Sequence, residues 1–152
     1  MIKDIIAYPT PPSVEYATDV RNFDDSIKLL ENNLIDTINA NNLDGLAAFQ
    51  IGNFYNVIVV KIQNKLITMI NPRIIGAIGE KVTTTETTAY FPNLSAEVTR
   101  SKQISVVFQD IQAKSHSLKL TGNEAIVTQR KIDYSFGSSF INKLSNEQKA
   151  IF

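Results

Sequence analysis

Hydrophobic residues in the first third of the chain recur at steps of three and four positions, the spacing of one face of an α-helix. They are Ile27, Leu30, Leu34 and Ile38. Asp24 precedes this run, where a short polar side chain can cap the free N–H groups of a helix start. The pattern therefore predicts an α-helix over residues 25–40.

After Gly52 the pattern changes to runs that are typical of β-strands. The runs 55–62 and 66–72 are rich in β-branched residues, and the polar pair Gln63-Asn64 lies in the connection between them. A two-residue polar connection between two such runs favours a β-hairpin. We therefore predict an antiparallel pair of strands in the middle of the chain.

Two further segments carry β patterns. The stretch 82–90, with the sequence VTTTETTAY, is dominated by β-branched residues and should be extended. The runs 103–111 and 116–120 flank a short polar turn, which predicts a second hairpin.

Helical signals return near the end of the chain. Thr121 and Glu124 have the spacing of a capping box, and Gly137 lies where a helix would stop. These signals predict a helix over 122–136. A second capping-box spacing at the sequence SNEQ predicts a short C-terminal helix that begins near Ser145.

The order of the elements defines the fold class. A helix, then several antiparallel strands, then helices indicate an α+β fold rather than a parallel βαβ sheet. The 152 residues, of which 43% are hydrophobic, are enough for one core. We therefore predict a single domain over 1–152.

Composition and charge narrow the function classes. The formal net charge is zero and the 15 Lys and Arg residues are scattered, so no nucleic-acid partner is expected. The chain has no cysteine, which excludes disulfides and thiolate metal ligands. No apolar run reaches membrane-spanning length, and we expect no targeting segment. We expect a protein of the cytoplasm, from a bacterial-type organism whose many Asn, Ile and Lys residues suggest an AT-rich genome.

Three segments could carry chemistry. His116, the only histidine, is placed in the turn between two strands, where it is more often a solvated residue than a catalytic base. The sequence GLAAFQIG over 45–52 combines small residues with the amide of Gln50. Arg130 and Tyr134 lie four positions apart on the predicted helix, so they should share one face.

The motifs, in their order and spacing, resemble those of the peptide deformylases, metal hydrolases that remove the formyl group from new protein N-termini. GLAAFQIG resembles the first family motif, and ETTAYFPNLSAEVTR resembles the second, in which Glu86, Pro92, Val98 and Arg100 are retained. QRKIDYSFG resembles the third motif and retains Gln129, Asp133 and Gly137. The resemblance implies the family fold, with antiparallel or mixed β-sheets around the helix 122–136.

The departures from these motifs fall on the reactive positions. Thr88 stands where the family has its cysteine metal ligand, and Arg130 and Tyr134 stand where it has two histidine ligands. Lys131 replaces the glutamate that acts as general base. The family uses iron, nickel or zinc, but these residues should hold no metal, because a guanidinium has no lone pair to donate. We therefore expect no metal cofactor.

Three hypotheses follow. The first is an inactive deformylase homologue that binds a peptide N-terminus or a small anion. The second is an enzyme with metal-independent chemistry, in which Lys131 is a nucleophile or base and Tyr134 an acid. The third is a structural or interaction protein whose pocket is filled by its own side chains. The first is preferred, so the interpretation leans towards a protein that is not an enzyme.

By this resemblance, degenerate catalytic positions are assigned to Lys131, Gln50 and Ala89. The residues expected at the pocket are Gly45, Leu46, Gln50, Glu86, Thr88, Ala89, Tyr90, Arg100, Arg130, Lys131 and Tyr134. Glu86 is expected to neutralise one of the two helix cations, and the other would then attract an anion.

Overall fold

A computed structural model describes residues 1–5, 17–88 and 91–135. The first helix, α1, spans Asp25–Asn41, which confirms the predicted segment 25–40. The Asp24 side chain accepts a hydrogen bond of 3.0 Å from the backbone N–H of Ser26, as expected for an N-cap. Asn42 ends the helix in a left-handed conformation with φ of 52°, which asparagine tolerates better than most residues.

Five antiparallel strands form one sheet in chain order. They are β1 Gly45–Ala47, β2 Val57–Ile62, β3 Lys65–Thr88, β4 Phe91–Gln109 and β5 Ser115–Thr121. A short 3-10 helix over Ala48–Ile51 follows β1. Both predicted hairpins are therefore confirmed. In the first of them, Gln63 and Asn64 have φ of 51° and 64°, the left-handed pair of values that matches the twist of the strands.

The second helix, α2, spans Gly122–Ser135 and packs on the sheet. It confirms the prediction over 122–135, whereas residue 136 lies outside the described part of the chain. The Glu124 side chain accepts a hydrogen bond of 2.7 Å from the backbone N–H of Gln63. The carboxylate predicted for a local capping box therefore makes a long-range contact, which fastens the start of α2 to the turn of the first hairpin.

The sheet separates two hydrophobic clusters, and β2 contributes to both. Val57 and Val59 belong to the cluster that includes the buried face of α1. Ile58 and Val60 belong to the other cluster, which includes Ala125, Val127 and Ile132 of α2. Alternate side chains of a strand point to opposite faces, so β2 is buried on both sides and lies between the helices.

β3 and β4 form a long two-stranded ribbon with several register shifts. One shift lies between Ile70 and Arg73, where Asn71 has φ of 53°. The Asn71 side chain accepts from the Val20 N–H at 2.7 Å and donates to the Val20 carbonyl at 2.9 Å. The irregularity thus positions the side-chain amide of Asn71 so that it bonds both backbone groups of Val20, as the backbone of a neighbouring strand would.

The α+β class is confirmed, with one refinement. In the described residues the strands form a single antiparallel sheet with a helix on each face, rather than several sheets around a central helix. Neither described helix is long and apolar enough to span a membrane. The predicted helix near Ser145 lies outside the described residues.

Candidate functional site

The segment 45–52 brings backbone close to α2. A Cβ atom at Gly45 would lie 3.1 Å from the carbonyl oxygen of Val59 and 3.2 Å from a methyl group of Val127. Glycine therefore allows the close approach of β1 to both β2 and α2, since an added methyl group would displace its neighbours by a few tenths of an ångström. Gly52 has φ of 79° and ends the 3-10 helix. The small residues noted in the sequence thus allow this turn to lie against α2.

Gln50 lies in that 3-10 helix and is almost fully buried, with 2% of its surface exposed. Its Oε1 accepts hydrogen bonds from the backbone N–H of Ala47 at 3.0 Å and from Nζ of Lys131 at 3.4 Å. Because both partners are donors, the oxygen rather than the nitrogen of the amide must face them. This fixes the orientation of the Gln50 side chain and joins the first motif to α2.

Lys131 is itself buried, with 9% of its surface exposed. It lies one helical position after Arg130, which is partly exposed. Removal of an ammonium from water is costly unless polar groups receive its N–H donors. The Gln50 oxygen is one such acceptor, although a distance of 3.4 Å makes this hydrogen bond a long one.

Gln129 fastens α2 to β4. Its side chain accepts from the Ser101 N–H at 3.2 Å and donates to the Ser101 carbonyl at 2.7 Å. It also donates to the Ala125 carbonyl at 3.1 Å, within the helix. An amide that satisfies both backbone groups of one strand residue fixes the helix at that residue. Gln129 therefore supports the site by attaching α2 to β4.

Arg100 and Asp133 make a second link between the same two elements. The Arg100 guanidinium donates to a carboxylate oxygen of Asp133, and the exposed fractions of the two side chains are 4% and 19%. Arg100 thus comes from the second motif and Asp133 from the third. With the contact of Lys131 and Gln50, the structure brings residues of all three motifs together around α2.

The other residues predicted for the pocket have different places. The Leu46 side chain is fully buried in the cluster beneath α1, whereas its neighbour Ala47 faces the cluster of α2. Glu86 and Thr88 lie in β3, opposite Ala96 and Phe91 of β4. Tyr134 lies in α2, one turn after Arg130. Ala89 and Tyr90 lie outside the described residues.

The residues at the three family ligand positions do not fit a metal ion. A threonine hydroxyl and a phenol are poor substitutes for a thiolate and an imidazole, and the Arg130 guanidinium has only donors. Within residues 1–5, 17–88 and 91–135, no group of three His, Cys, Asp or Glu residues is arranged to hold a metal. The chemistry of this donor set thus disagrees with the cofactor that the family motif implies.

His116 is part of a strand rather than of a turn. It lies in β5 opposite Phe108, on whose ring it stacks, and its Nε2 is 2.7 Å from an oxygen of Asp110. The hydrogen bond with His116 is the main cause that holds the Asp110 pKa below its usual value. This pair belongs to the β4–β5 hairpin and closes its turn.

Comparisons with known proteins identify the class. The family model described as polypeptide deformylase matches residues 2–150, and the chain therefore belongs to that family. A peptide deformylase of Campylobacter jejuni is 31% identical over 160 residues, which cover 100% of this chain and 91% of that protein. A protein of Staphylococcus aureus named peptide deformylase-like is 33% identical over 126 residues, which cover 82% and 76%.

Solved structures agree with the sequence relatives. The crystal structure of peptide deformylase from Thermotoga maritima matches with a TM-score of 0.89 and 28% sequence identity, and the match covers 95% of this chain and 99% of that one. The resemblance inferred from the motifs is thus confirmed, and so is the fold that it implied. The family resemblance placed Gln50 and Lys131 in one pocket, but no local pattern predicted the hydrogen bond between them, because the two residues are 81 positions apart.

Proposed function

We propose that this chain is a catalytically inactive member of the deformylase family that binds a peptide N-terminus or a small anion. The observation that carries the proposal is the hydrogen bond from Nζ of Lys131 to the Gln50 oxygen inside a buried site. A residue at the position of the general base acts there as a hydrogen-bond donor.

Hydrolysis of an amide at neutral pH requires a strong nucleophile and a proton acceptor. In metal hydrolases a bound cation supplies the nucleophile by lowering the pKa of its water to about 7. The residues Thr88, Arg130 and Tyr134 do not form a set of metal ligands, and an ammonium at Lys131 has no free lone pair with which to accept a proton. The chain thus lacks the ordinary means for both steps.

Elements suited to binding remain. Gly45 and Gln50 keep the positions that the first motif requires, and β1 lies at an edge of the sheet, where it pairs only with β2 in the described part of the chain. An extended peptide could add to that edge through main-chain hydrogen bonds. The amide of Gln50 lies in the 3-10 helix that follows this strand and would meet the terminal group of the peptide.

A second candidate is supported by the burial of Lys131. If this side chain fills the former reaction site, the chain would act through its surface as a structural or interaction protein. The burial of Lys131 fits this function as well as the first, because a buried cation can either receive a ligand or replace one.

The test is an assay of formyl-Met-peptide turnover by the purified protein with added iron, nickel or zinc. The Campylobacter jejuni relative is the positive control. We expect turnover at background. Turnover in the presence of metal would overturn the proposal, and turnover that persists in a chelator would instead support metal-independent chemistry at Lys131.

A titration with the same peptide separates the two non-catalytic candidates. Saturable binding that is lost in Gln50→Leu is expected for the binding function. The alternative, in which the site is filled, predicts no saturable binding to the native protein.

A further inference from the structure

Residues 17–20 form a strap that lies along the segment between the 3-10 helix and β2. The Thr18 N–H donates to the Phe54 carbonyl at 2.7 Å, and the Thr18 carbonyl accepts from the Asn56 N–H at 2.8 Å. Thr18 thereby forms a parallel bridge with Tyr55. The strap thus holds the backbone that leads into β2 as a neighbouring strand would.

Asn71 attaches the end of the strap to the sheet. Its side-chain amide accepts from the Val20 N–H and donates to the Val20 carbonyl, and it also donates to the Gln109 side chain at 2.9 Å. The backbone N–H of Asn71 donates to the Asn56 carbonyl at 2.8 Å. One residue therefore joins the strap to the start of β2 and to the end of β4.

The backbone conformation of Asn71 is unusual. Its φ of 53° lies in the left-handed region, although a residue before a proline, here Pro72, is normally extended. Asparagine tolerates this region better than most residues do. A strained conformation persists where the surrounding contacts over-determine it, and the hydrogen bonds of Asn71 are such contacts.

The Phe54 side chain connects the strapped segment to the 3-10 helix. Its ring packs against that of Phe49, with centroids 5.2 Å apart and an interplanar angle of 67°. Phe49 is buried and precedes Gln50 in the 3-10 helix. Edge-to-face aromatic pairs are favourable at this separation. Displacement of Phe54 would therefore loosen the helix in which the Gln50 oxygen accepts from the Ala47 N–H.

We infer that the strap controls whether the 3-10 helix stays closed, and that Asn71 is the positioning residue that keeps the strap in place. With the strap docked, Phe54 supports Phe49 and the helix stays formed. With the strap released, the helix opens and the Ala47 N–H loses its acceptor on Gln50. This inference goes beyond the proposed function, and its test needs no ligand. A ligand that binds only the closed helix would be favoured by a docked strap, because binding selects the conformation of higher affinity.

The test is amide hydrogen exchange of the full chain in Asn71→Gly and Asn42→Gly. Glycine accepts the left-handed backbone and removes the side-chain amide, so both variants should fold. Asn42 is the matched control, because it has a φ of 52° at the end of α1, away from the strap. In Asn71→Gly the N–H groups of Thr18 and Ala47 should both exchange at least about tenfold faster, since the strap loses its hydrogen bonds to the amide. In Asn42→Gly both should exchange as in the native protein.

The pairing of β4 with β5 is the internal reference and should keep its native exchange rates. Faster exchange at Thr18 alone would overturn the inference, because the strap would then move without the 3-10 helix. Equal acceleration across the whole sheet would also overturn it, since that result indicates global unfolding rather than local release. Unchanged exchange at Thr18 would show that Asn71 does not hold the strap.

Phe54→Leu tests the aromatic connection. Leucine keeps an apolar side chain and leaves the carbonyl that holds Thr18 in place, whereas the ring contact with Phe49 is lost. In a double-mutant cycle, adding Asn71→Gly to this variant should accelerate exchange at Ala47 by at most about threefold, instead of tenfold, because the connection is already broken. The same acceleration in both backgrounds would overturn the role assigned to Phe54.

Discussion

Arg100 on β4 and Asp133 on α2 form an ion pair in which the guanidinium is almost completely withdrawn from water. A second arginine–aspartate pair, Arg73 with Asp19, joins β3 to the N-terminal segment, and both of its side chains are more than 40% exposed. The two pairs have the same chemistry and different burial. Comparison of the two pairs therefore tests whether the buried arginine stabilises the fold more than the exposed one.

Arg100→Met should lower the free energy of unfolding by about 3 kcal/mol, because the carboxylate of Asp133 would lose its cation in a poorly hydrated place. Arg73→Met is the matched control and should cost less than about 1 kcal/mol. Urea denaturation of both variants measures the difference. Equal losses would show that Arg100 stabilises the fold no more than a surface arginine does.

Gly45→Ala should destabilise the fold by about 1–3 kcal/mol, because the new methyl group would press on the Val59 carbonyl and on Val127 of α2. In Gly76→Ala the added carbon lies 4.0 Å from its nearest neighbour, Ser105 Cβ, and this variant should be close to neutral. Thermal unfolding of the two variants tests the required close approach. A neutral Gly45→Ala would mean that β1 and α2 can move apart without loss.

Thr128→Val should leave stability unchanged or raise it by up to about 1 kcal/mol. The Thr128 hydroxyl is fully buried and has no hydrogen-bond partner among the described residues. Thr37 is equally buried, but its hydroxyl donates to the Asn33 carbonyl at 2.7 Å and accepts from the Lys3 N–H at 2.9 Å. Thr37→Val should therefore cost about 1–2 kcal/mol. Similar losses in both variants would indicate that Thr128 has a partner, such as a buried water.

Acid should weaken the attachment of the N-terminal segment to the sheet. Burial of the Asp19 carboxyl opposes ionisation, but hydrogen bonds from Asn56 and Arg73 outweigh this effect and hold its pKa below the usual value. Because the pKa is lower in the folded state, the stabilisation is complete above the unfolded value of about 3.9 and disappears as the pH falls through the folded value. Asp19→Asn should thus be less stable than the native protein at pH 7.

This difference should shrink as the pH falls below about 3.9 and vanish once Asp19 is protonated in both the folded and the unfolded native chain. Denaturation curves at several pH values between 7 and 2 provide the measurement. A constant difference between Asp19→Asn and the native protein over that whole range would contradict the assigned cause.

Restoring the family ligands should restore metal binding. The quadruple variant Thr88→Cys, Arg130→His, Lys131→Glu and Tyr134→His should bind one zinc ion per chain, because α2 still projects positions 130 and 134 from one face. The triple variant without Thr88→Cys should bind zinc more weakly. Metal content after dialysis is the readout. A quadruple variant that folds and binds no zinc would show that the scaffold itself has changed shape.

Sequence patterns predicted the regular elements because those elements depend on local periodicity. The helical spacing of Ile27, Leu30, Leu34 and Ile38 reappears as the buried face of α1. Gln63 and Asn64 were recognised as a turn because polar pairs between strand-like runs have few other conformations. The order and spacing of the motifs then indicated the family, and the family resemblance predicted which residues lie near α2.

Long-range contacts could not be predicted in this way. Glu124 has the spacing of a capping box, yet it binds the Gln63 backbone 61 positions away. The role of Asn71 depends on a register shift in β3 and on the proximity of Val20, neither of which has a local pattern. The hydrogen bond between Lys131 and Gln50 depends on how closely α2 packs on the sheet, and the packing at Gly45 contributes to that distance.

The attachment of α2 by Gln129 has a consequence for how this protein could have changed over time. Gln129 holds Ser101 through its own amide, and so the attachment uses no side-chain atom of Arg130, Lys131 or Tyr134. Selection on folding can therefore act on Gln129 while selection on chemistry acts on other residues of the same helix. The residues at positions 130, 131 and 134 could thus be replaced during evolution while Gln129 kept α2 attached to β4.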